Sequence, residues 1–432
     1  MRTLYTLLYI HFLPLLVLRL YWRSLKASAY RERLRERFAM IPRRAGDEPL
    51  IWVHAVSVGE VMAAAPMLKA MMVRYPEARF CITTTTPTGS ARVQAEFGDT
   101  VLHYYLPFDL PSLLTVFVRV LRPKMLVIME TELWPNLLAT CEHFSIPVTL
   151  ANGRLSARSA ARYRRIASLA RPMFGQLDLV AAQSQQDAER FIELGAKTDA
   201  VTVTGSIKYD LVPDDTLRER ASELAGSLGA DRRRVLVFAS THPGEDELIL
   251  PVLARLHQLD DSLLTVIVPR HPERFAAVGR LIRQQQLAMQ RLSEGRTVSQ
   301  TTQVLLGDTM GDMLALYGCA DLAFVGGSLI EHGGHNVLEP IAWQVPVLSG
   351  PHVFNFQNII DELTEAGGIT VIQDIAALEQ LLEAWLSDSS GISVTAEKAQ
   401  TVLARNQGAM DRLLAAIDPV YQTHNPENSR SS

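Results

Sequence analysis

From residue 50 onward the chain alternates short β-rich runs with helical ones, and that alternation leaves few folds open. LIWVHAV (50–56) reads as a strand and VMAAAPMLKAMMVRY (61–75) as the helix after it. FCITTTT, VLHYYLP, MLVIMET, PVTLANG, LDLVAAQS and AVTVTGS read as further strands. PTGSARVQAEF, PSLLTVFVRVL, NLLATCEHF and QQDAERFIELG read as helices between them, and SARSAARYRRIASLARPMF as one basic amphipathic helix. Strands that alternate with helices are joined by crossovers, so the sheet is mostly parallel, with helices on both faces.

The pattern then resets. KYDLVPDDT (208–216) is polar and carries a proline, as an interdomain linker does. A second set of strands follows (RRVLVFAST, LLTVIVPR, VLLGDT, LAFVGGS, VPVLSG), again with helical runs between them, including NVLEPIAWQ from Asn336. A chain of 432 residues exceeds one ordinary core, so two domains are expected. The fold class is α/β, two doubly wound Rossmann-like domains: 49–210 and 217–418, with 211–216 as linker, C-terminal helices over 375–418, and a flexible tail over 419–432. Two such domains place a ligand in the cleft between them, at the C-terminal ends of the strands.

The N-terminus departs from this pattern. Residues 3–22, TLYTLLYIHFLPLLVLRLYW, are almost wholly apolar or aromatic. The uncharged run Thr3–Leu18 is about 24 Å long as a helix, slightly short of the ~30 Å hydrocarbon core. Snorkelling by Arg19, with Tyr21 and Trp22 as an interfacial belt, lets it just span. A basic juxtamembrane segment (23–48) follows, carrying Arg23, Lys26, Arg31, Arg33, Arg35, Arg37, Arg43 and Arg44. That charge places the later domains on the cytoplasmic side, and the lack of a small-residue cleavage site favours an uncleaved anchor. A helix lying in the interface is the alternative. Three dispersed cysteines in apolar segments, Cys81, Cys141 and Cys319, point to a reducing compartment and away from a disulfide framework or zinc site. A net charge of −4 gives no reason to expect nucleic acid as a partner.

Several segments place chemistry at strand ends. In Trp52-Val53-His54-Ala55-Val56-Ser57-Val58-Gly59-Glu60 a strand runs into a tight turn, and Glu60 falls on the first turn of the next helix. A carboxylate there is positioned as a general base, and equally as an ordinary capping residue. Glu130 and Glu132, in Glu130-Thr131-Glu132-Leu133-Trp134-Pro135-Asn136, end another strand, as do Asn152-Gly153-Arg154 and Lys208. An ammonium at Lys208 suits an anionic ligand. In the second domain, Gly326-Gly327-Ser328 through Glu339-Pro340 is a glycine-rich strand–loop–helix, with Glu331 and Glu339 eight residues apart. Glycines let backbone approach a phosphate, and a helix opening at Asn336 supplies donors. Pro269-Arg270, Met310-Gly311-Asp312 and Ser240-Thr241-His242 end strands of the same domain. There is no Walker loop, nucleophile elbow or metal-ligand cluster in the sequence.

HAVSVGE, ITTTTPTGS, ETELWPN, NGRLS, GSIKYD, VPRHPER, GDTMGD and GGSLIEHGGHNVLEP occur in this order. With the N-terminal apolar segment, they closely resemble the 3-deoxy-D-manno-octulosonic acid (Kdo) transferases of lipopolysaccharide synthesis, from the anchor to about residue 415. The resemblance implies a GT-B fold, CMP-Kdo as donor, a lipid A precursor (lipid IVA) as acceptor, inversion at the transferred sugar, and no metal or other cofactor. It implies Glu60 as general base, with Glu130 and Lys208 stabilising the transition state. It implies CMP contacts at Pro269, Arg270, Met310, Gly311, Asp312, Asn336, Val337, Leu338 and Glu339. Two positions depart mildly: Asp312 stands where Glu also occurs, and Val337 where Pro also occurs, which leaves a side-chain contact from residue 312 in question. The implied location is the cytoplasmic face of the inner membrane, at an anionic surface. The alternative function is another GT-B transferase, or an epimerase, using a UDP-sugar.

Overall fold

The structure, a computed structural model, describes residues 1–25 and 28–423. Lys26 of the basic flank and the tail beyond Thr423 lie outside the described residues. The chain divides into two compact units, Met1–Asp210 with the segment from Gly408, and Leu211–Gln407.

The first unit opens with α1 (Arg2–Ser24). Its sheet has seven strands: β1 (Leu50–His54), β2 (Arg79–Thr84), β3 (Leu102–Tyr105), β4 (Met125–Met129), β5 (Val148–Gly153), β6 (Leu179–Ala182) and β7 (Val201–Val203). They are all parallel, in the order β3-β2-β1-β4-β5-β6-β7. The crossovers are α2 (Val58–Arg74), α3 (Pro87–Phe97), α4 (Pro111–Leu121), α5 (Pro135–His143), α6 (Ala157–Arg165), α7 (Ala167–Gly175) and α8 (Gln185–Glu193). Side chains alternate faces along a strand. Leu50 and Trp52 of β1 and Leu126 and Ile128 of β4 therefore pack on the Phe117 side, while Ile51, Val53, Val127 and Met129 pack against Met67, Leu68 and Met71 of α2. Both faces are buried, which is why these strands are almost uninterrupted apolar runs.

The second unit repeats the plan with β8 (Val235–Thr241), β9 (Leu264–Pro269), β10 (Met289–Arg291), β11 (Val304–Leu306), β12 (Leu322–Val325), β13 (Val347–Ser349) and β14 (Thr370–Val371). Their order is β10-β11-β9-β8-β12-β13-β14. Its helices are α9 (Asp215–Leu228), α10 (Glu245–Leu259), α11 (Phe275–Gln284), α12 (Met313–Tyr317), α13 (Leu338–Ile341), α14 (Gln357–Glu365), α15 (Ile375–Ser387) and α16 (Ser390–Asn406). The edge strands β10 and β14 span three and two residues, too short to leave a periodic signal in the sequence.

Four sequence expectations change. The basic helix expected over 156–174 breaks at Ile166 (φ −117°, ψ 34°), so α7 can turn Ala170, Met173 and Phe174 inward while the α6 arginines stay outside. The helix expected to open at Asn336 is a single turn, Leu338–Ile341. The last helix, α17 (Ala409–Thr423), belongs to the first unit and not with the C-terminal helices of the second. Asp210 accepts Gly408 N–H (2.6 Å) and Met410 N–H at its start. Leu413 and Ile417 join the core of Ile51 and Val53, and Tyr421 packs on Tyr75 with ring centroids 4.4 Å apart. Finally, part of the basic flank is internal. Arg33 binds the His103 carbonyl at 2.6 Å and Ser90 Oγ at 3.1 Å. The buried Arg37 donates to the Thr85 carbonyl (2.7 Å) and lies over the Tyr105 ring, and Arg44 donates to the Leu121 carbonyl (3.2 Å).

Candidate active site

In an open parallel sheet, ligands gather where the strand order reverses, outside the carboxyl ends of the strands. In the first unit that point lies between β1 and β4, and Glu60 and Glu130 follow those two strands. Ser57 caps α2, accepting Glu60 N–H at 3.4 Å. The Glu60 carboxylate turns back on the same turn: Oε1 accepts Ser57 Oγ–H and Oε2 accepts Val56 N–H, each at 2.8 Å. Glu60 is thus a capping residue, and its ionisation is unusual as well. Burial pushes its carboxyl up to about 7; the Val56 and Ser57 hydrogen bonds oppose the rise, and the nearby charges of Glu132 and Glu130 add to it.

Glu130 takes a left-handed backbone (φ 56°), costly for a residue with a Cβ and common where function holds the chain. Its Oε1 stands 3.7 Å from Lys208 Nζ, both side chains half-buried. Lys208 sits on a single 3₁₀ turn, Ile207–Tyr209, whose first N–H is accepted by Asn152 Oδ1 at 3.3 Å. Asn152 is itself left-handed (φ 53°) and fully buried. Residues distant in sequence are thus gathered around one carboxylate pair and one ammonium. His54 of the same motif is internal instead: its Nδ1 meets Thr83 Oγ1 at 2.9 Å, and burial holds the imidazole down at about 4, hence neutral.

In the second unit the reversal lies between β8 and β12. β8 carries Ser240 in the left-handed region (φ 57°), and the glycine loop follows β12. The amides of that loop are already occupied. The fully buried Glu245, first residue of α10, accepts Gly327 N–H (2.7 Å) and His242 N–H (3.0 Å) on Oε2, and Ser328 and Leu329 N–H (both 3.0 Å) on Oε1. An internal carboxyl group fills the nest that the sequence reads as a phosphate cradle. Glu245 was not singled out from sequence; its one signal was an acidic residue in a helix first turn, a common occurrence.

Around this nest stand His242 and His335, their Nε2 atoms 2.8 Å apart and their rings stacked. His332 lies 3.7 Å from His242 between ring centroids. Burial and mutual proximity, with Arg270 nearby, hold His242 at about 4 and His335 at about 3. Gly327 (φ 69°) fits between them because a Cβ there would sit 3.2 Å from His335. Glu339, raised to about 7 by burial, is hydrogen-bonded by Asn336 Nδ2 (3.3 Å) and lies within the field of Arg270. Arg270 is exposed at the end of β9, next to the buried Pro269; Val337 and Leu338 are buried. Met310 is 70% exposed and Gly311 left-handed, while the Asp312 carboxylate is held by Arg220 and by Thr309 Oγ1 (2.7 Å). The expected nucleotide positions thus fall at two places in this unit, the loop around 336–339 with Arg270, and the turn 310–312.

Known proteins resemble this chain along nearly its whole length. The pattern of the family described as 3-deoxy-D-manno-octulosonic-acid transferase matches residues 32–211, and that of group 1 glycosyl transferases matches 247–402. The 3-deoxy-D-manno-octulosonic acid transferase of Haemophilus influenzae is 42% identical over 98% of this chain and 99% of its own. The enzyme of the same name from Bordetella pertussis is 33% identical over 96% of this chain and 99% of its own. Among solved structures, the UDP-GlcNAc 2-epimerase from Neisseria meningitidis superposes with a TM-score of 0.58 at 12% identity, over 85% of this chain and 99% of that one, a likeness of GT-B fold alone. A relative this similar along nearly the whole length, together with the doubly wound units and the transferase patterns in each, shows that the chain belongs to the 3-deoxy-D-manno-octulosonic acid transferase family of glycosyltransferases.

Proposed function

We propose that this transferase moves Kdo from CMP-Kdo to a lipid A precursor, lipid IVA, in lipopolysaccharide synthesis, with inversion, at the cytoplasmic face of the inner membrane. The observation that carries the reading is Glu60: a half-buried carboxylate near pKa 7, beside the Glu130–Lys208 pair. Glu60 removes the proton from the acceptor hydroxyl as that oxygen forms its bond to the anomeric carbon. The bond from that carbon to the phosphate oxygen breaks, and its electrons leave on CMP. Lys208, held by Glu130, faces the carboxylate that Kdo carries next to its anomeric centre. The second unit supplies the nucleotide contacts, from Pro269, Arg270, Met310, Gly311, Asp312, Asn336, Val337, Leu338 and Glu339. The phosphate contact falls to Arg270 and the 336–339 turn, since Glu245 fills the amides of 327–329.

A monophosphate leaving group balanced by an arginine calls for no metal, so turnover is expected to survive EDTA unchanged. The deciding experiment is mass analysis of products from CMP-Kdo and a tetraacylated lipid A precursor. One or more added Kdo residues supports the proposal. No product, or displacement of a bound probe by UDP in preference to CMP, refutes it.

A further inference from the structure

We propose that α1 lies in the plane of the membrane surface and does not cross it, and that the bilayer covers its outward face. The argument begins with periodicity. Tyr5, Thr6, Tyr9, Leu13, Leu16, Val17 and Leu20 are less exposed than their neighbours and share one face of the helix. The opposite face is open and apolar: Leu7 is 60% exposed, Leu15 58%, Leu18 60% and Trp22 65%. A soluble domain rarely exposes so continuous a stripe without a partner.

Polar contacts fix what covers the inner face. Thr6 Oγ1 meets Asn136 Oδ1 at 3.1 Å. Tyr5 and Tyr9 stand beside the buried Asp109, close enough for its charge to act on both phenols. Asp109 accepts Asn136 and Leu137 N–H (3.1 and 2.8 Å) at the start of α5, so it is fixed in the first unit. The other end of α1 is tied there too: Arg23 lies over Tyr30 and Tyr21 under Arg31, two residues before Arg33, which binds His103. In a spanning helix Tyr5 would lie roughly 24 Å from Tyr21, toward the far leaflet. Asp109, which caps a helix of the catalytic unit, cannot follow it there.

The occupant is an anionic lipid surface. Residues 1–31 carry Arg2, Arg19, Arg23, Lys26 and Arg31 and no acidic residue. Exposed Arg35 and Arg43 follow, while Arg33, Arg37 and Arg44 are engaged internally and are removed from the count. An apolar stripe flanked by arginines and edged by Tyr21 and Trp22 fits the headgroup boundary of such a bilayer. The inference rests on the membrane association proposed above, not on the transfer reaction.

The test is cysteine topology in the full-length protein. Cys81, Cys141 and Cys319 are buried and give little background. A Thr3→Cys variant and a Gly391→Cys control on the second unit are treated with a membrane-impermeant maleimide in spheroplasts and in inverted vesicles. Both cysteines should label only in inverted vesicles. Labelling of residue 3 from the spheroplast side, or from neither side while residue 391 labels, overturns the in-plane helix and leaves membrane association standing. In a second arm, Leu7→Asp/Leu15→Asp should bind phosphatidylethanolamine–phosphatidylglycerol vesicles roughly tenfold or more weakly than the parent, with unchanged circular dichroism and melting. Unchanged binding, or a soluble dimer that ignores vesicles, overturns the assignment of lipid to this face; recovery of the parent protein wholly in the soluble fraction sinks the membrane reading as well.

Discussion

Glu60 shows how two demands meet in one side chain. Its hydrogen bonds to Val56 N–H and Ser57 Oγ are those of a helix cap and favour the ionised form, while burial and two neighbouring glutamates favour the protonated form by more. Three outcomes follow. Glu60→Gln should lower kcat by about 10²–10⁴-fold with CMP-Kdo binding intact, read by steady-state kinetics and calorimetry. The parent's rate should fall below about pH 7, where the base is protonated, and the variant's residual rate should lack that limb. The sign for stability is opposite to the usual carboxylate case: a pKa raised on folding favours the native state at low pH, and that benefit is lost as pH rises through about 7. Glu60→Gln should therefore help the melting temperature more at pH 8 than at pH 5. Glu245 is a carboxylate with four backbone donors. Removing it as Glu245→Ala leaves those buried amides without an acceptor and should cost about 3–5 kcal/mol, measured as a shifted denaturant midpoint.

At the scale of elements, α17 joins the unit that was made first. Leu413 and Ile417 lie in the same core as Ile51 and Val53, so Ile417→Ala should cost about 2–5 kcal/mol in chemical denaturation. Breaking the exposed Arg74–Asp418 pair with Arg74→Ala should leave the denaturant midpoint nearly unchanged. Helices are expected over 375–418, but a helix with an apolar face fits any apolar surface of the right shape, so the destination of α17 is not readable; α17 also runs on to Thr423, through residues expected as flexible tail. The one-turn α13 was overread because Asn336-Val337-Leu338-Glu339-Pro340 carries start signals, and Pro340 permits a first turn. The basic flank was overread in a similar way. Counting arginines treats each as solvent-facing, whereas Arg37 is buried over Tyr105 and has its charge disfavoured by that burial.

At the scale of the molecule, both chain crossings between units fall at Asp210–Leu211 and Gln407–Gly408. A fragment of residues 211–407 should therefore fold alone and melt cooperatively. Residues 1–210 should aggregate, and fusing residues 408–423 back through a flexible linker should restore solubility, as followed by size exclusion and circular dichroism.

The β-α alternation, its reset near residue 210, and the carboxylates at strand ends were fixed locally, by side-chain periodicity and by the turns that strand ends require, and so they could be read before folding. Tertiary structure decided where those pieces went. Glu60, Glu130 and Lys208 meet because β1, β4 and the turn after β7 end on the same edge of one sheet. Glu245 and not a ligand fills the glycine loop, and α1 and α17 both lie on the first unit. These outcomes depend on burial and on distances between residues far apart in the chain, quantities that a one-dimensional pattern of residues does not contain.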